Sequence, residues 1–190
     1  MECFDNSNLQ GSFPVSACVV FKNAKPNKKE YRHFNIKTVE GPNDFASMYE
    51  ALTRRYSRLI EQKHSLPQLI VIDGGKGQLS SSVKALKDLG IYGKVAIIGI
   101  AKRLEEIFYP EDNLPLYLDK KSETLRVIQH MRDEAHRFGI THHRNQRSKG
   151  TIASKLTEIK GIGNETAADL LRTFKSVARI KKSTLDEIAK

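Results

Sequence analysis

Apolar and polar residues follow strand-like patterns through the first part of the chain. Residues 15–21 form an apolar, β-branched run that predicts a buried strand, and residues 31–36 alternate as a half-buried strand does. A turn rich in Lys, Asn and Pro separates the two segments. With Cys3, Phe4 and Asp5 leading in, the pattern predicts three consecutive strands.

Two helices are predicted in the next segment from apolar residues that recur at helical spacing. The first begins at Asp44 and continues through residue 56, with Arg54 and Arg55 predicted to face solvent. The second covers residues 76–89. Each predicted helix therefore has one apolar face to bury against a sheet.

Unbroken apolar runs of strand length lie on either side of the second helix. Residues 68–72 and 95–100 are such runs, which are typical of buried parallel strands. Residues 103–121 are less regular, and Pro110 and Pro115 indicate turns or a short hairpin there.

The last third of the chain is predicted to be helical. Ser122 is a suitable N-cap and Gly139 a suitable stop for a third helix. Residues 144–150 form a polar, basic segment that we interpret as a linker, and residues 153–190 predict a small helical unit. We therefore expect an α/β fold, a mixed sheet flanked by helices, over residues 1–147, followed by a small all-α domain over residues 148–190. Ribonuclease H-like nucleases, among other folds, have this element order.

The net charge and its distribution along the chain indicate a class of binding partner. The net charge is +10, and the segment from Arg137 to Lys190 alone carries 12 Lys and Arg against 5 Asp and Glu. Such asymmetry favours a polyanion-binding end, although a merely soluble basic tail would have the same composition. No apolar run is long enough to span a bilayer, so no membrane partner is expected. Cys3 and Cys18 lack metal-ligand spacing and are predicted to be buried free thiols, which favours a cytoplasmic location.

Three polar residues stand where a metal site would need them. Asp5 and Asp73 each end an apolar strand, and His136 lies on the flank of the third helix. Carboxylates at neighbouring strand ends meet at one sheet edge and suit Mg²⁺ or Mn²⁺ in phosphodiester hydrolysis. Singly, each aspartate is more often a turn or cap residue and a lone histidine is more often structural. His136 could be a ligand or a general acid or base.

The glycine-rich sequence after Asp73 is the second chemical signal. Gly74-Gly75-Lys76-Gly77-Gln78 leads into a helix, so backbone amides and Lys76 could approach a phosphate. The sequence lacks the P-loop pattern, and ATP hydrolysis is therefore not expected. A tight strand-to-helix turn would explain the glycines but not the lysine.

Basic and hairpin motifs predict contacts with DNA. Gly161-Ile162-Gly163, between two helical segments, has the form of a helix–hairpin–helix, which binds a DNA phosphate without reading sequence. An ordinary turn between helices is the alternative. The adjacent pair His142 and His143 lacks further ligands at zinc spacing, so we interpret it as phosphate contacts. The predicted DNA contacts are Arg132, Arg137, His143, Arg144, Arg147, Lys149, Gly161 and Gly163.

Several motifs together resemble one family. FDNSNLQG, NDFASMYEALTRRY, VIDGGKGQL, IGIAKR, QHMRDEAHRF and the GIG hairpin occur here in the order found in UvrC, the excision endonuclease subunit of bacterial nucleotide excision repair. The resemblance runs from about Glu2 to Lys190. It implies a ribonuclease H-like, metal-dependent DNA endonuclease that makes the incision 5′ of a lesion, with the catalytic set Asp5, Asp73 and His136. Asp44 and, more weakly, Lys76 match supporting positions.

The resemblance also implies partners and limits. It covers only the C-terminal half of such proteins, so the N-terminal GIY-YIG-type nuclease and the main UvrB-binding segment are expected to be absent. The implied partners are damaged double-stranded DNA and the UvrB–DNA complex. Two departures from the family pattern are Asn8, where many members have His, and a second helix–hairpin–helix that would begin where this sequence stops.

Two other functions remain open from the sequence. A non-catalytic DNA-binding scaffold would share the fold, but it would have no need to keep Asp5, Asp73 and His136. A ribonuclease acting on RNA–DNA hybrids would share the metal chemistry, whereas the hairpin favours duplex DNA.

Overall fold

The computed structural model describes residues 1–9, 12–39, 41–101, 106–112 and 114–188. Side chains at residues 7–9, 12–14, 142–155 and 185–186 lie outside this description. The chain divides into two compact units, Met1–Thr141 and His142–Lys190. The functional domains predicted for residues 1–147 and 148–190 stay a prediction.

Seven strands of the described chain form one mixed sheet in the first unit. They are β1 Glu2–Leu9, β2 Ser12–Lys22, β3 Lys25–Pro26, β4 Arg32–Asn35, β5 Leu69–Asp73, β6 Ala96–Ala101 and β7 Glu106–Phe108. Their order is β3-β2-β1-β5-β6-β7, and β4 also pairs with β2. The strands β1, β5 and β6 run parallel, and the hairpin partners β2 and β7 are antiparallel to them. The predicted mixed sheet is confirmed.

Helices cover both faces of this sheet. The helices of the described chain are α1 Asp44–Glu61, α2 Lys76–Asp88, α3 Glu123–Thr157, α4 Asn164–Phe174, α5 Val177–Ile180 and α6 Leu185–Ile188. One core lies between the sheet and α1 with α2, and it includes Phe4, Ile72, Leu52 and Leu86. The other core lies between the sheet and α3. Asn43 caps α1 by accepting a hydrogen bond from the amide of Ala46.

Alternation along the strands decides which core each residue joins. On β1, Phe4 packs towards α1 and α2, whereas Cys3 packs towards α3. The same alternation on β5 places Ile72 on the first side and Val71 on the second. Asp5 and Asp73 therefore belong to the α3 side of the sheet.

Two predictions about the last part of the chain are wrong. The helix α3 passes through Gly139 and continues to Thr157, so residues 144–150 are helical backbone instead of a linker. A single glycine costs a helix only about 1 kcal/mol relative to alanine, which is too little to end it. The short hairpin predicted within residues 103–121 is confirmed, because Ile107 on β7 exchanges two backbone hydrogen bonds with Leu116. On its other side, β7 extends the sheet beside β6.

The orientation predicted for Arg55 is also wrong. Its side chain is only 12% exposed and forms an ion pair with Glu2 on β1, with 2.5 Å between Arg55 Nη2 and Glu2 Oε1. Tyr56 also donates its hydroxyl to Glu2 over 3.0 Å. A buried carboxylate on the sheet therefore draws the arginine inward, which helical periodicity alone does not reveal.

The second unit is all-α in its described backbone. The end of α3 is followed by a turn with Gly161 at a φ of +94° and by α4, which Gly163 precedes as N-cap. No described helix of the chain is both long and apolar enough to cross a membrane.

Candidate metal centre

Two buried aspartates form the base of the site. Asp5 on β1 and Asp73 on β5 are direct partners in the parallel pairing of these strands. The residues are 2% and 8% exposed. Asp73 ends β5, as predicted, but the prediction that Asp5 ends its strand is wrong, because β1 continues to Leu9. The register nevertheless holds the two carboxylates side by side, with little access to bulk water.

The third residue comes from the helix on the same side of the sheet. His136 Nδ1 lies 3.0 Å from Asp5 Oδ2. One ligand atom each from Asp5, Asp73 and His136 can be chosen so that all three lie within 4.8 Å of one another. The three residues that the sequence selected are therefore brought together by the fold.

The chemistry of this donor set fits a divalent cation. Two carboxylates and one imidazole are ligands that suit Mn²⁺ and, with water, Mg²⁺. Paired carboxylates that are buried need a compensating charge, which a cation between them would supply. Asp5, Asp73 and His136 are the residues that would hold it.

The histidine-bearing helix is fixed to the sheet on either side of His136. Tyr31 donates its hydroxyl to Glu134 over 3.2 Å, and Arg137 binds Glu134 through two hydrogen bonds of 2.6 and 2.7 Å. His33 stacks on Phe138 with ring centroids 3.7 Å apart. These contacts limit rotation of α3 and hold the imidazole of His136 towards Asp5.

Charge and burial shift the pKa values of Tyr31 and Glu134, the two residues joined by this hydrogen bond. Burial, together with the neighbouring Glu134, raises the pKa of Tyr31. The hydrogen bonds from Arg137 lower the pKa of Glu134. Near neutral pH, Tyr31 therefore stays a donor and Glu134 an acceptor, as the contact requires.

Asn6 links the site to the start of α1. Its amide nitrogen donates to the backbone carbonyl of Asp44 over 2.8 Å, and its amide oxygen accepts a short hydrogen bond from Ser16. Asn6 follows Asp5 directly, so this bridge fixes the strand at the site. Asp44 itself lies outside the three-residue ligand group, because α1 packs on the opposite face of the sheet. Its supporting role stays a prediction.

The glycines after Asp73 allow a close turn into α2. The Gly74 amide donates to the Ile100 carbonyl over 3.0 Å, and a Cβ on Gly99 would stand 3.1 Å from the Gly74 carbonyl oxygen. Gly99 therefore makes room for the backbone that positions Asp73. Lys76 begins α2 and holds its ammonium 5.5 Å from the ring centre of Phe108. Its proposed contact with phosphate stays a prediction.

Cys3 precedes Asp5 by two residues on β1, so its side chain faces the same side of the sheet as the two aspartates. Burial raises the pKa of its thiol, and the negative charges of Asp73 and Asp5 raise it further. Burial beside Glu2 likewise raises the pKa of Cys18. Both are free, buried thiols, as predicted from the sequence.

The structure describes the side chains of only some of the predicted DNA contacts. The side chain of Arg132 is 14% exposed and donates to Asp133, whereas that of Arg137 is 54% exposed and binds Glu134. The side chains of His143, Arg144, Arg147 and Lys149 lie outside the described residues. Gly161 and Gly163 lie in the turn before α4, and their place in a helix–hairpin–helix stays a prediction.

The sequence patterns did not identify the residues that support Asp5, Asp73 and His136. Asn6, Tyr31, Glu134 and Gly99 carry no catalytic pattern of their own, and each acts through a contact between segments distant in sequence. The position of Asn6 next to Asp5 was the one signal available.

Comparison with known proteins shows a family and several curated proteins to which this chain is similar. Residues 1–140 match the family described as the UvrC RNAse H endonuclease domain. UvrABC system protein C of Christiangramia forsetii is 66% identical over 189 residues, which cover 100% of this chain and 32% of that protein. The proteins of the same name from Flavobacterium johnsoniae and Porphyromonas gingivalis are 65% and 64% identical over the same spans.

The chain spans about a third of the length of these curated relatives, since each match covers 32% of the relative. Among solved structures, the chain is similar to Ciona intestinalis endonuclease V in complex with a 24mer DNA containing an inosine followed by a ribo-adenosine. The match has a TM-score of 0.38 and 21% identity, and it covers 70% of this chain and 55% of that one.

Proposed function

Because this chain belongs to the UvrC RNAse H endonuclease domain family, we propose that it cuts one DNA strand on the 5′ side of a lesion in nucleotide excision repair. Its substrate is damaged double-stranded DNA, presented in a complex with UvrB. The observation that carries the proposal is the pairing of Asp5 with Asp73 in one register position, with His136 Nδ1 3.0 Å from Asp5 Oδ2.

The reaction needs a divalent cation, Mg²⁺ or Mn²⁺, held by Asp5, Asp73 and His136. When bound, such a cation lowers the pKa of water and stabilises negative charge on the phosphate. The two buried aspartates provide anionic ligands without rotating out of the strands. Their burial limits competition from bulk water.

His136 has a second task besides binding. With no cation bound, Nδ1 lies within hydrogen-bond distance of Asp5 Oδ2, at 3.0 Å, and this contact orients the ring. A cation held between the two residues would take Nδ1 as its ligand. Otherwise the imidazole can act as a general acid or base.

The second unit contributes DNA binding. The turn formed by Gly161 and Gly163 leaves the first amides of α4 available to a backbone phosphate. Such contacts position the duplex without reading its sequence. Two buried free thiols are in keeping with a reducing, cytoplasmic location.

The test is nicking of a lesion-containing duplex that carries UvrB and a pre-made nick 3′ of the lesion. The chain is compared with Asp73→Asn and with the control Asp112→Asn, in Mn²⁺ and at high protein concentration. Asp112 is an exposed carboxylate that accepts the Leu114 amide, a contact that an asparagine oxygen can keep. We expect a 5′ cut by wild type and control, and none by Asp73→Asn.

Two results would contradict the proposal. A wild-type chain that binds the duplex complex but never cuts would favour the non-catalytic scaffold. Faster cleavage of an RNA–DNA hybrid of the same sequence would favour a ribonuclease.

A further inference from the structure

A second polar site lies in the first unit, between the later part of α1 and the edge of the sheet. It is a pocket of about 560 Å³. We call it the arginine pocket. Its charged and histidine lining comprises Glu2, Lys22, Glu30, Arg32, His33, Arg54, Arg55, Arg58 and His64. Basic side chains therefore outnumber acidic ones, although residues 1–136 carry 20 Lys and Arg against 17 Asp and Glu.

The two carboxylates of the pocket are already occupied. Glu2 binds Arg55, and Glu30 binds Lys22. Arg54 binds the buried carboxylate of Glu50, at an N–O distance of 2.9 Å. These pairs neutralise three of the five cationic residues.

The remaining two arginines, Arg32 and Arg58, form no ion pair with a carboxylate of the described residues. Arg32 donates to the backbone carbonyls of Lys29 and Tyr31, which carry no net charge. The side chain of Arg58 forms neither a hydrogen bond nor an ion pair within the described part of the chain. Both side chains are exposed, so their guanidinium groups can bind an anion from solvent.

Apolar and aromatic groups complete the lining. Phe34 and Leu59 lie among the polar residues, together with the rings of His33 and His64. A nucleic acid strand matches this mixture, because its phosphates pair with guanidinium groups while its bases and sugars pack on rings and apolar surface.

The location of the pocket decides which form of nucleic acid fits. Glu2 and Asp5 are three residues apart on β1, about 10 Å, and their side chains point to opposite faces of the sheet. Glu2 faces α1, and Asp5 faces α3. A stiff duplex bound at the metal centre cannot follow the surface round the sheet, whereas a single strand can bend.

We propose that the arginine pocket binds the backbone of single-stranded DNA, at a site separate from the metal centre. The inference rests on the proposed function, because it takes DNA as the natural ligand. Arg32 and Arg58 each neutralise a phosphate, and the strand bound there is a single-stranded stretch beyond the cut.

The experiment measures binding of a fluorescent oligothymidine of about 12 nucleotides by anisotropy. It uses the full chain with Asp73→Asn, in EDTA, so that cutting plays no part. Arg32→Gln with Arg58→Gln is compared with Lys120→Gln with Lys121→Gln. The control pair removes two exposed lysines that do not line the pocket. Circular dichroism checks that each variant is folded.

The salt dependence of DNA binding is the more specific measurement. Each lost phosphate contact should lower the slope of log K against log salt by about 0.7 for a single strand. We therefore expect the arginine variant to lose about 1.4 from this slope and roughly tenfold in affinity near 50 mM salt, whereas the lysine control changes neither.

Three outcomes would overturn the inference. Equal salt slopes for both variant pairs would mean that the arginines are only a solvated surface. A loss confined to duplex DNA would contradict the choice of a single strand. Tighter binding of polyglutamate than of oligothymidine, lost in the arginine variant, would assign the pocket to an acidic protein segment. Nicking by the unsubstituted chain is measured separately, so the proposed function can stand or fall independently.

Discussion

Asp5 and Asp73 stand opposite each other at one register position of two adjacent parallel strands. Side chains so paired point to the same face, and here that face is covered by the helix that carries His136. The geometry follows from the parallel register of β1 and β5, in which Asp5 lies within β1 and Asp73 ends β5. A shift of either strand by one residue would send one carboxylate to the opposite face and dismantle the site.

Cation binding should stabilise the folded chain, and this should depend on Asp73. At a concentration of Mn²⁺ about 100 times its dissociation constant, binding adds about 2.7 kcal/mol to the free energy of unfolding. We expect the melting temperature to rise by roughly 5–10 °C, and Asp73→Asn to abolish the rise. Thermal melts in EDTA and in Mn²⁺ measure this. An equal rise in Asp73→Asn would mean that the cation binds elsewhere.

Removing the hydroxyl of Tyr31 should loosen α3. Tyr31→Phe deletes the hydrogen bond to the Glu134 carboxylate, which should cost about 1–2 kcal/mol in the free energy of unfolding. Urea denaturation measures the loss. Tyr117→Phe is the matched control, because it removes a hydrogen bond to Glu106 that is exposed to solvent. If both variants lose the same stability, burial of the Tyr31 contact adds nothing.

Gly99→Ala should disturb the metal centre without unfolding the sheet. The new Cβ would press on the Gly74 carbonyl oxygen at 3.1 Å, in the turn that follows Asp73. We expect Mn²⁺ affinity, measured by calorimetry, to fall several-fold because Asp73 moves. Gly75→Ala is the control, since nothing lies within 4 Å of its added Cβ. Unchanged affinity in Gly99→Ala would show that the turn adjusts freely.

Alkaline pH should destabilise the fold through the two buried thiols. Burial raises the pKa of Cys3 and Cys18 above the ordinary 9.0, so the folded chain keeps protons that the unfolded chain releases. The thiols therefore contribute full stability below about pH 9, and stability falls as the pH rises above it. The loss reaches up to about 1.4 kcal/mol for each thiol per pH unit.

Melting temperatures between about pH 7 and pH 10 measure this dependence. A variant with Cys3→Ala and Cys18→Ala should show a shallower fall, although its stability at neutral pH will be lower because two packed side chains are shortened. Identical pH profiles would assign the alkaline loss to other groups, of which Tyr56 is one with a pKa raised by burial.

The hydrophobic pattern by itself determined most of the first unit and the members of its site. Apolar residues before Asp5 and Asp73 indicated two strands, although β1 continues past Asp5 to Leu9, and helical spacing indicated α1 and α2. These signals are local, because burial on one face imposes a period of two on a strand and of 3.6 on a helix. For the same reason, the sequence also selected the three residues that the fold brings together.

Only the tertiary structure shows the contacts between segments that are distant in sequence. Which face Asp5 occupies, how His136 reaches it, and why Arg55 turns inward to Glu2 all depend on contacts between segments distant in sequence. Gly139 stays helical because a small local preference against helix is outweighed by the continuous hydrogen bonding of α3. The arginine pocket is also a product of the fold, since Arg32 and Arg58 are separated in sequence and converge only when β4 packs beside α1.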